Sequence, residues 1–154
     1  MNRSGMISAI DYLNPVVIRI LHTPVVHWLA SFGLATITLR GRRSGKRVQL
    51  PVGYHDQQGV IVVLVSDARG RQWWRNFESG WPATLRVRGL SREMIGEVLV
   101  PGSPEFSDRV GRFFSRAAFI PRIFGVPFDP AAGLTVGQGR HLGESAAVVR
   151  FRDA

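Results

Sequence analysis

Hydrophobic positions first change period near residue 35. Before it, "SAIDYLN", "PVVIRILH" and "PVVHWLAS" carry apolar residues at helical spacing and are divided at Pro15 and Pro24. Proline is comfortable in the first turn of a helix and costs about 3 kcal/mol inside one. Residues 7–31 therefore read as short helical pieces. They are too apolar to stand free in water, so they either cover a core or rest on a membrane surface.

After the change the period is two. "ATITLR" alternates, a cationic bend follows, and "VQLPVGYH" continues as a second strand. "DQQG" at 56–59 is a turn, and "VIVVLVS" at 60–66 is an unbroken apolar run, as in a strand buried on both faces. "GRQWWRNFES" reads as a short helix, and "ATLRVRG" with "REMIGEVLV" reads as a hairpin around Gly89. "SPEFSDRVGRFFSRAAFI" opens with Ser103 as N-cap, Pro104 in the first position and Glu105 in the first turn, which predicts a helix. Residues 121–143 are rich in Gly and Pro and read as loop, and "SAAVVRF" closes the chain as a strand. Strands joined mostly by hairpins, with helices set between and beside them, predict an α+β fold. It has a six-stranded, mostly antiparallel barrel, an N-terminal helix and two further helices. The whole of 1–154 reads as a single domain, a helical segment at 1–33 followed by a barrel at 35–152.

Composition agrees with a folded chain: 45% hydrophobic and 10% aromatic residues. The absence of cysteine removes disulfides and thiolate chemistry and fits a reducing cytoplasm. Asp11, Arg19, His22 and His27 interrupt the apolar N-terminal stretch, so it offers no run of about 20 residues that would span a bilayer. The expected location is cytoplasmic, with 7–31 as the segment for any peripheral membrane contact. A net charge of +9 calls for anionic company. Nucleic acid is not the expected partner, because no aromatic RNA-binding pattern or recognition helix accompanies the charge. The chain reads as a monomer or a homodimer.

Much of the charge is concentrated in one bend. Arg40, Arg42, Arg43, Lys46 and Arg47 fall within eight positions around Ser44 and Gly45. A glycine turn can cradle an anion with its amides while arginines add forked donors; a solvated hairpin turn is the plain alternative. No histidine pair has metal-ligand spacing, and no G-x-S-x-G elbow, P-loop or strand-linked G-x-G-x-x-G is present. An enzyme built on this chain would draw its hard chemistry from a cofactor.

The succession "TLRGRRSGKRVQLPVGY", "VIVVLVSDARG", "WWRNFE" and "ATLRV", over most of residues 35–100, resembles the deazaflavin-dependent nitroreductase/quinone reductase family. The resemblance implies a split β-barrel that binds the deazaflavin coenzyme F420 and passes its hydride to a small hydrophobic electrophile such as a quinone, enone or nitro compound. FMN is the alternative cofactor, and the wider superfamily includes proteins that bind heme or lipid. By the same resemblance, Arg42, Arg43, Ser44, Gly45 and Lys46 meet the phosphate and acidic tail. Pro51, Val52 and Gly53 lie along the ring with Tyr54 next to them. Ser66, Asp67 and Ala68 form the loop on the phosphate side, and Trp73 and Asn76 match the family's W-x-x-N pair. No side chain is assigned a catalytic role, and no metal is implied.

The chain departs from the family at two places. Val48 stands where an arginine is usual, and Arg47, one position away on a strand, faces the opposite side. "DARGRQ" replaces a glycine-glycine loop, so Arg69 and Arg71 are the residues to take up the phosphate there. Trp73 and Trp74 read equally well as core aromatics. Phe113, Phe114, Phe119, Phe124 and Phe128 read as packing over the barrel mouth or as an apolar substrate wall.

Overall fold

The computed structural model describes residues 33–154, and the helical pieces expected in 7–31 lie outside them. Seven strands follow in order: β1 (Leu34–Arg40), β2 (Arg47–Gly53), β3 (His55–Gln57), β4 (Val60–Val65), β5 (Trp81–Val87), β6 (Leu90–Val98) and β7 (Ala147–Asp153). All pairings are antiparallel, in the order β2-β1-β5-β6-β7-β4-β3. β2 and β3 sit at opposite ends of that order, yet only Tyr54 separates them in sequence. One residue spans less than 4 Å, so the two edges must meet and the sheet must curl closed. They do not pair with each other, which leaves the barrel split at this seam.

The strand count is seven, not the six expected, because "VQLPVGYH" divides at Tyr54. Its last residue, His55, crosses the seam to pair with Val62 of β4. The hairpin turns behave as their residues require. Gln58–Gly59 and Arg88–Gly89 all have positive φ, the mirror-image turn that matches strand twist and that glycine makes cheap.

The barrel interior is filled by alternate residues. Ala35, Ile37 and Leu39 of β1, Ile61, Val63 and Val65 of β4, and Val149 and Phe151 of β7 belong to one buried cluster. β4 is buried on both faces as expected: Val62 and Leu64 point outward into a second cluster with Val148, capped by helices. The first of these, α1 (Pro104–Phe114), buries Phe106, Val110, Phe113 and Phe114, and the Ser103 hydroxyl accepts from the Phe106 amide. The helix expected to run through 120 ends at Phe114. The Ser115 hydroxyl bonds back to the Gly111 carbonyl, and Pro121 cannot sit deep in a continuous helix. The chain restarts as α2 (Phe119–Ile123), with Pro121 in its first turn.

A third helix, α3 (Val136–Leu142), lies inside the stretch expected to be loop. Among the described residues no helix is long and apolar enough to cross a membrane. Between barrel and helices, buried Arg150 of β7 is ion-paired with Glu97 of β6 and Glu105 of α1.

Candidate functional site

The cationic bend joins β1 to β2 beyond their last pair, Arg40 and Arg47. The Gly41 amide donates to the Lys46 carbonyl at 2.7 Å, and the Gly45 amide donates to the Gly41 carbonyl at 2.8 Å. The Lys46 amide donates to the Ser44 hydroxyl at 3.2 Å. The Arg42 amide donates to Asn76 Oδ1 at 2.7 Å. With these amides engaged, what the bend chiefly offers an anion is guanidinium rather than a cradle of N–H groups.

The facing wall comes from the segment after β4, where two short 3-10 turns, Ala68–Gly70 and Trp73–Phe77, replace the expected helix at 70–79. The Ala68 amide donates to the Ser145 carbonyl, which ties the loop to the turn before β7, and the Trp74 indole N–H donates to the Ala68 carbonyl, which joins the two 3-10 turns. Arg71 Nε donates to the Ser66 carbonyl at 3.1 Å, which fixes the base of that side chain at the mouth. Asp67 adopts a left-handed backbone, and its carboxylate folds back over Gly70, where a β-carbon would stand 2.9 Å from Oδ2. Phe77 anchors the second turn. Its ring is fully buried and meets Phe151 edge-on at 5.1 Å and Trp73 at 6.2 Å.

Between the bend and this wall lies a cleft of about 1090 Å³. Of the residues assigned by resemblance, it brings together Arg42, Arg43, Ser44, Pro51, Trp73 and Asn76. Gly45 and Lys46 lie in the bend but do not line the cleft. Val52 and Tyr54 are buried in the barrel interior, and Gly53 is buried beside them. Ser66, Asp67 and Ala68 lie outside the cleft; of the two arginines expected beside them, Arg71 lines it with Gly70 and Gln72, and Arg69 does not.

Sequence reasoning did not assign Val48, Leu50, Gln72, Arg75 or Glu78, all of which line the cleft. Three of them follow from the turn type found here: in a 3-10 turn residues three apart are eclipsed, so Gln72, Arg75 and Glu78 form one row beside Trp73 and Asn76. Val48 is the residue that replaces the usual arginine; it packs against the barrel core while lining the cleft. Arg47 is exposed and does not line it. Chemically the described lining combines the guanidinium groups of Arg42, Arg43, Arg71 and Arg75, one carboxylate, Glu78, and the apolar residues Val48, Leu50, Pro51 and Trp73.

No family model matches the sequence, and no curated protein is a significant match. Solved structures do match. The heme storage protein HutZ from Vibrio cholerae aligns with a TM-score of 0.50 at 10% identity, over 87% of this chain and 90% of that one. The FAD and heme binding protein from Mycobacterium smegmatis aligns at 0.45 with 19% identity, over 82% of this chain. This chain spans 63% of the length of that mycobacterial protein. An F420 reductase aligns at 0.40 with 11% identity, over 82% of this chain and 93% of that one. At such identities the likeness is one of fold: a split barrel.

Proposed function

We propose that the cleft binds a flavin-type coenzyme through an anionic tail, F420 in the first place and FMN as the alternative, and that the protein is a reductase of small hydrophobic electrophiles. The supporting observation is that four arginines and four apolar residues line one cleft. A volume of about 1090 Å³ admits a tricyclic ring and its tail. The residues fit the group: Arg43, Arg71 and Arg75 offer forked donors to phosphate or carboxylate. Val48, Leu50, Pro51 and Trp73 offer the water-excluding surface that a planar ring requires. Among the described lining residues there is no His, Cys, Met or Tyr to ligate a heme iron, which places heme third.

When bound and reduced, the coenzyme supplies a hydride. The chain's own residues orient and exclude water: the guanidinium groups fix the anionic end, and the apolar side presents one face of the slot to a hydrophobic acceptor. The Ser44 hydroxyl accepts from the Lys46 amide, so its own proton remains available to donate into the cleft. Glu78 is the only carboxylate among the described lining residues, and protonation of a reduced product falls to water or to that hydroxyl.

Titration of the protein with F420, FMN and heme side by side, followed by oxidation of the reduced coenzyme in the presence of menadione, tests the reading. Arg43→Ala is expected to weaken F420 binding about tenfold to a hundredfold, as loss of a charge-assisted bond of roughly 1.5–3 kcal/mol implies. Failure of both F420 and FMN to bind overturns the proposal. Binding without turnover of menadione or a nitro compound removes the reductase and leaves a carrier.

A further inference from the structure

We propose that Asn76 is a positioning residue rather than a coenzyme ligand. In this reading it clamps the cationic bend to the tryptophan-bearing turn and sets the span of the cleft. Both ends of its amide are engaged. Oδ1 accepts from the Arg42 amide at 2.7 Å, and Nδ2 donates to the Trp73 carbonyl at 2.8 Å. Arg42 is held a second and a third time: Nη1 donates to the Ser79 hydroxyl, and the guanidinium lies 5.9 Å from the centre of the Trp81 ring. The Trp81 indole in turn donates to the Arg40 carbonyl at 2.8 Å.

These bonds join residues 34, 37 and 41 positions apart in sequence. The sheet itself offers β2 no such support, because β2 is an edge strand with β1 as its sole neighbour. The tip of the β1–β2 hairpin is therefore located against the other wall by side chains. The bond to Ser79 uses one of the five N–H donors of the guanidinium and turns that edge of Arg42 toward Ser79 and Trp81. Among the described residues Arg43 makes no such bond, so Arg43 leads in meeting the anion, together with Arg71 and Arg75.

The affinity arm of the test rests on the coenzyme reading, and a second arm does not. In the first arm, F420 is titrated at two salt concentrations into the parent, Asn76→Ala, Arg43→Ala and the double variant. A lost clamp misplaces Arg43, so Asn76→Ala is expected to weaken binding roughly threefold to tenfold and to flatten the salt dependence as Arg43→Ala does. The double variant is expected to bind little worse than Arg43→Ala alone. Additive losses with an unchanged salt slope for Asn76→Ala mark a direct neutral ligand and overturn the proposal.

Ser79 lies outside the cleft lining, so Ser79→Ala serves as a second variant should Asn76→Ala fail to fold, with a smaller loss in the same direction expected. In the second arm, amide exchange of the ligand-free protein is followed by NMR. Protection at the Arg42 amide that disappears in Asn76→Ala, while barrel amides stay protected, is expected. An unprotected Arg42 amide in the parent shows that no clamp exists. Absence of any F420 or FMN binding by the parent removes the coenzyme reading and the positioning role with it, and the Arg42 amide still decides whether the clamp is present.

Discussion

Gly96 of β6 shows how far one missing carbon reaches. A β-carbon there would stand 2.6 Å from Phe77 Cδ1 and 2.6 Å from Phe151 Cε1, inside the contact distance of two buried rings. Its absence lets Phe77 seat the Trp73–Phe77 turn on the barrel, and that turn carries Trp73 and Asn76 into the cleft. Gly96→Ala is expected to destabilise the fold by about 1–3 kcal/mol, as overpacking does. It is also expected to weaken coenzyme binding through the displaced turn. A chemical denaturation midpoint and an F420 titration check the two effects, and an unchanged midpoint shows that the rings make room freely. At this scale part of the cleft's lining was legible. Charge beside a bend marks Arg42, Arg43 and Ser44, resemblance marks Trp73 and Asn76, and all five line the cleft. Arg75 and Glu78 were not legible, because "GRQWWRNFES" read as an α-helix places neighbours four apart, whereas the chain turns with period three. Val52, expected along the ring, and Tyr54, expected next to it, are both buried in the barrel cluster and do not line the cleft.

Elements were legible where pattern and termination agreed and illegible where they conflicted. The Ser103-Pro104-Glu105 start of α1 was read directly from residue types, and the Ser103 hydroxyl accepts from the Phe106 amide as that reading requires. α3 was missed because Gly137 and Gly139 each weaken a helix by about 1 kcal/mol relative to alanine. Two things offset that cost. Thr135 and Gln138 form a reciprocal capping box, a signal present in the sequence as Thr followed three residues later by Gln. Gly139 also admits the backbone of Gly102, where a β-carbon would stand 3.4 Å from the Gly102 α-carbon, so the helix gains a close contact that is visible only in three dimensions. Thr135→Ala removes the cap and is expected to cost about 1 kcal/mol, with α3 amides exchanging faster than those of α1. Equal exchange before and after the substitution shows that packing of Leu142, not the cap, holds the helix.

For the whole molecule, closure was legible in kind from hairpin-linked strands, but not the seam at Tyr54, since a single residue between two strands of opposite edges leaves no mark in periodicity. The junction of barrel and helices carries the titratable groups that couple this architecture to pH. Burial pushes the Glu105 carboxyl upward, but the hydrogen bond and charge of Arg150, with the charges of Arg152 and Arg109, outweigh it. Glu105 therefore sits below its ordinary value of 4.5. Half-buried His55 beside the seam is lowered from 6.5, first by loss of water and then by Arg116, with Arg112 adding to the effect and Asp56 opposing it. In both cases the unfolded chain binds protons more readily than the folded one, so stability falls as pH falls. The His55 contribution is lost first, from about pH 6.5 downward, and the Glu105 contribution below about pH 4.5. Thermal midpoints across this range are expected to decline in two stages on acidification. Glu105→Gln should abolish the lower stage, at the cost of leaving buried Arg150 paired with Glu97 alone. His55→Gln should abolish the upper stage and leave the lower one in place. A midpoint that rises on acidification between pH 6.5 and 4.5 would mean that His55 is charged in the folded protein. The seam would then have to carry a cation among arginines, against the direction its burial and neighbours impose.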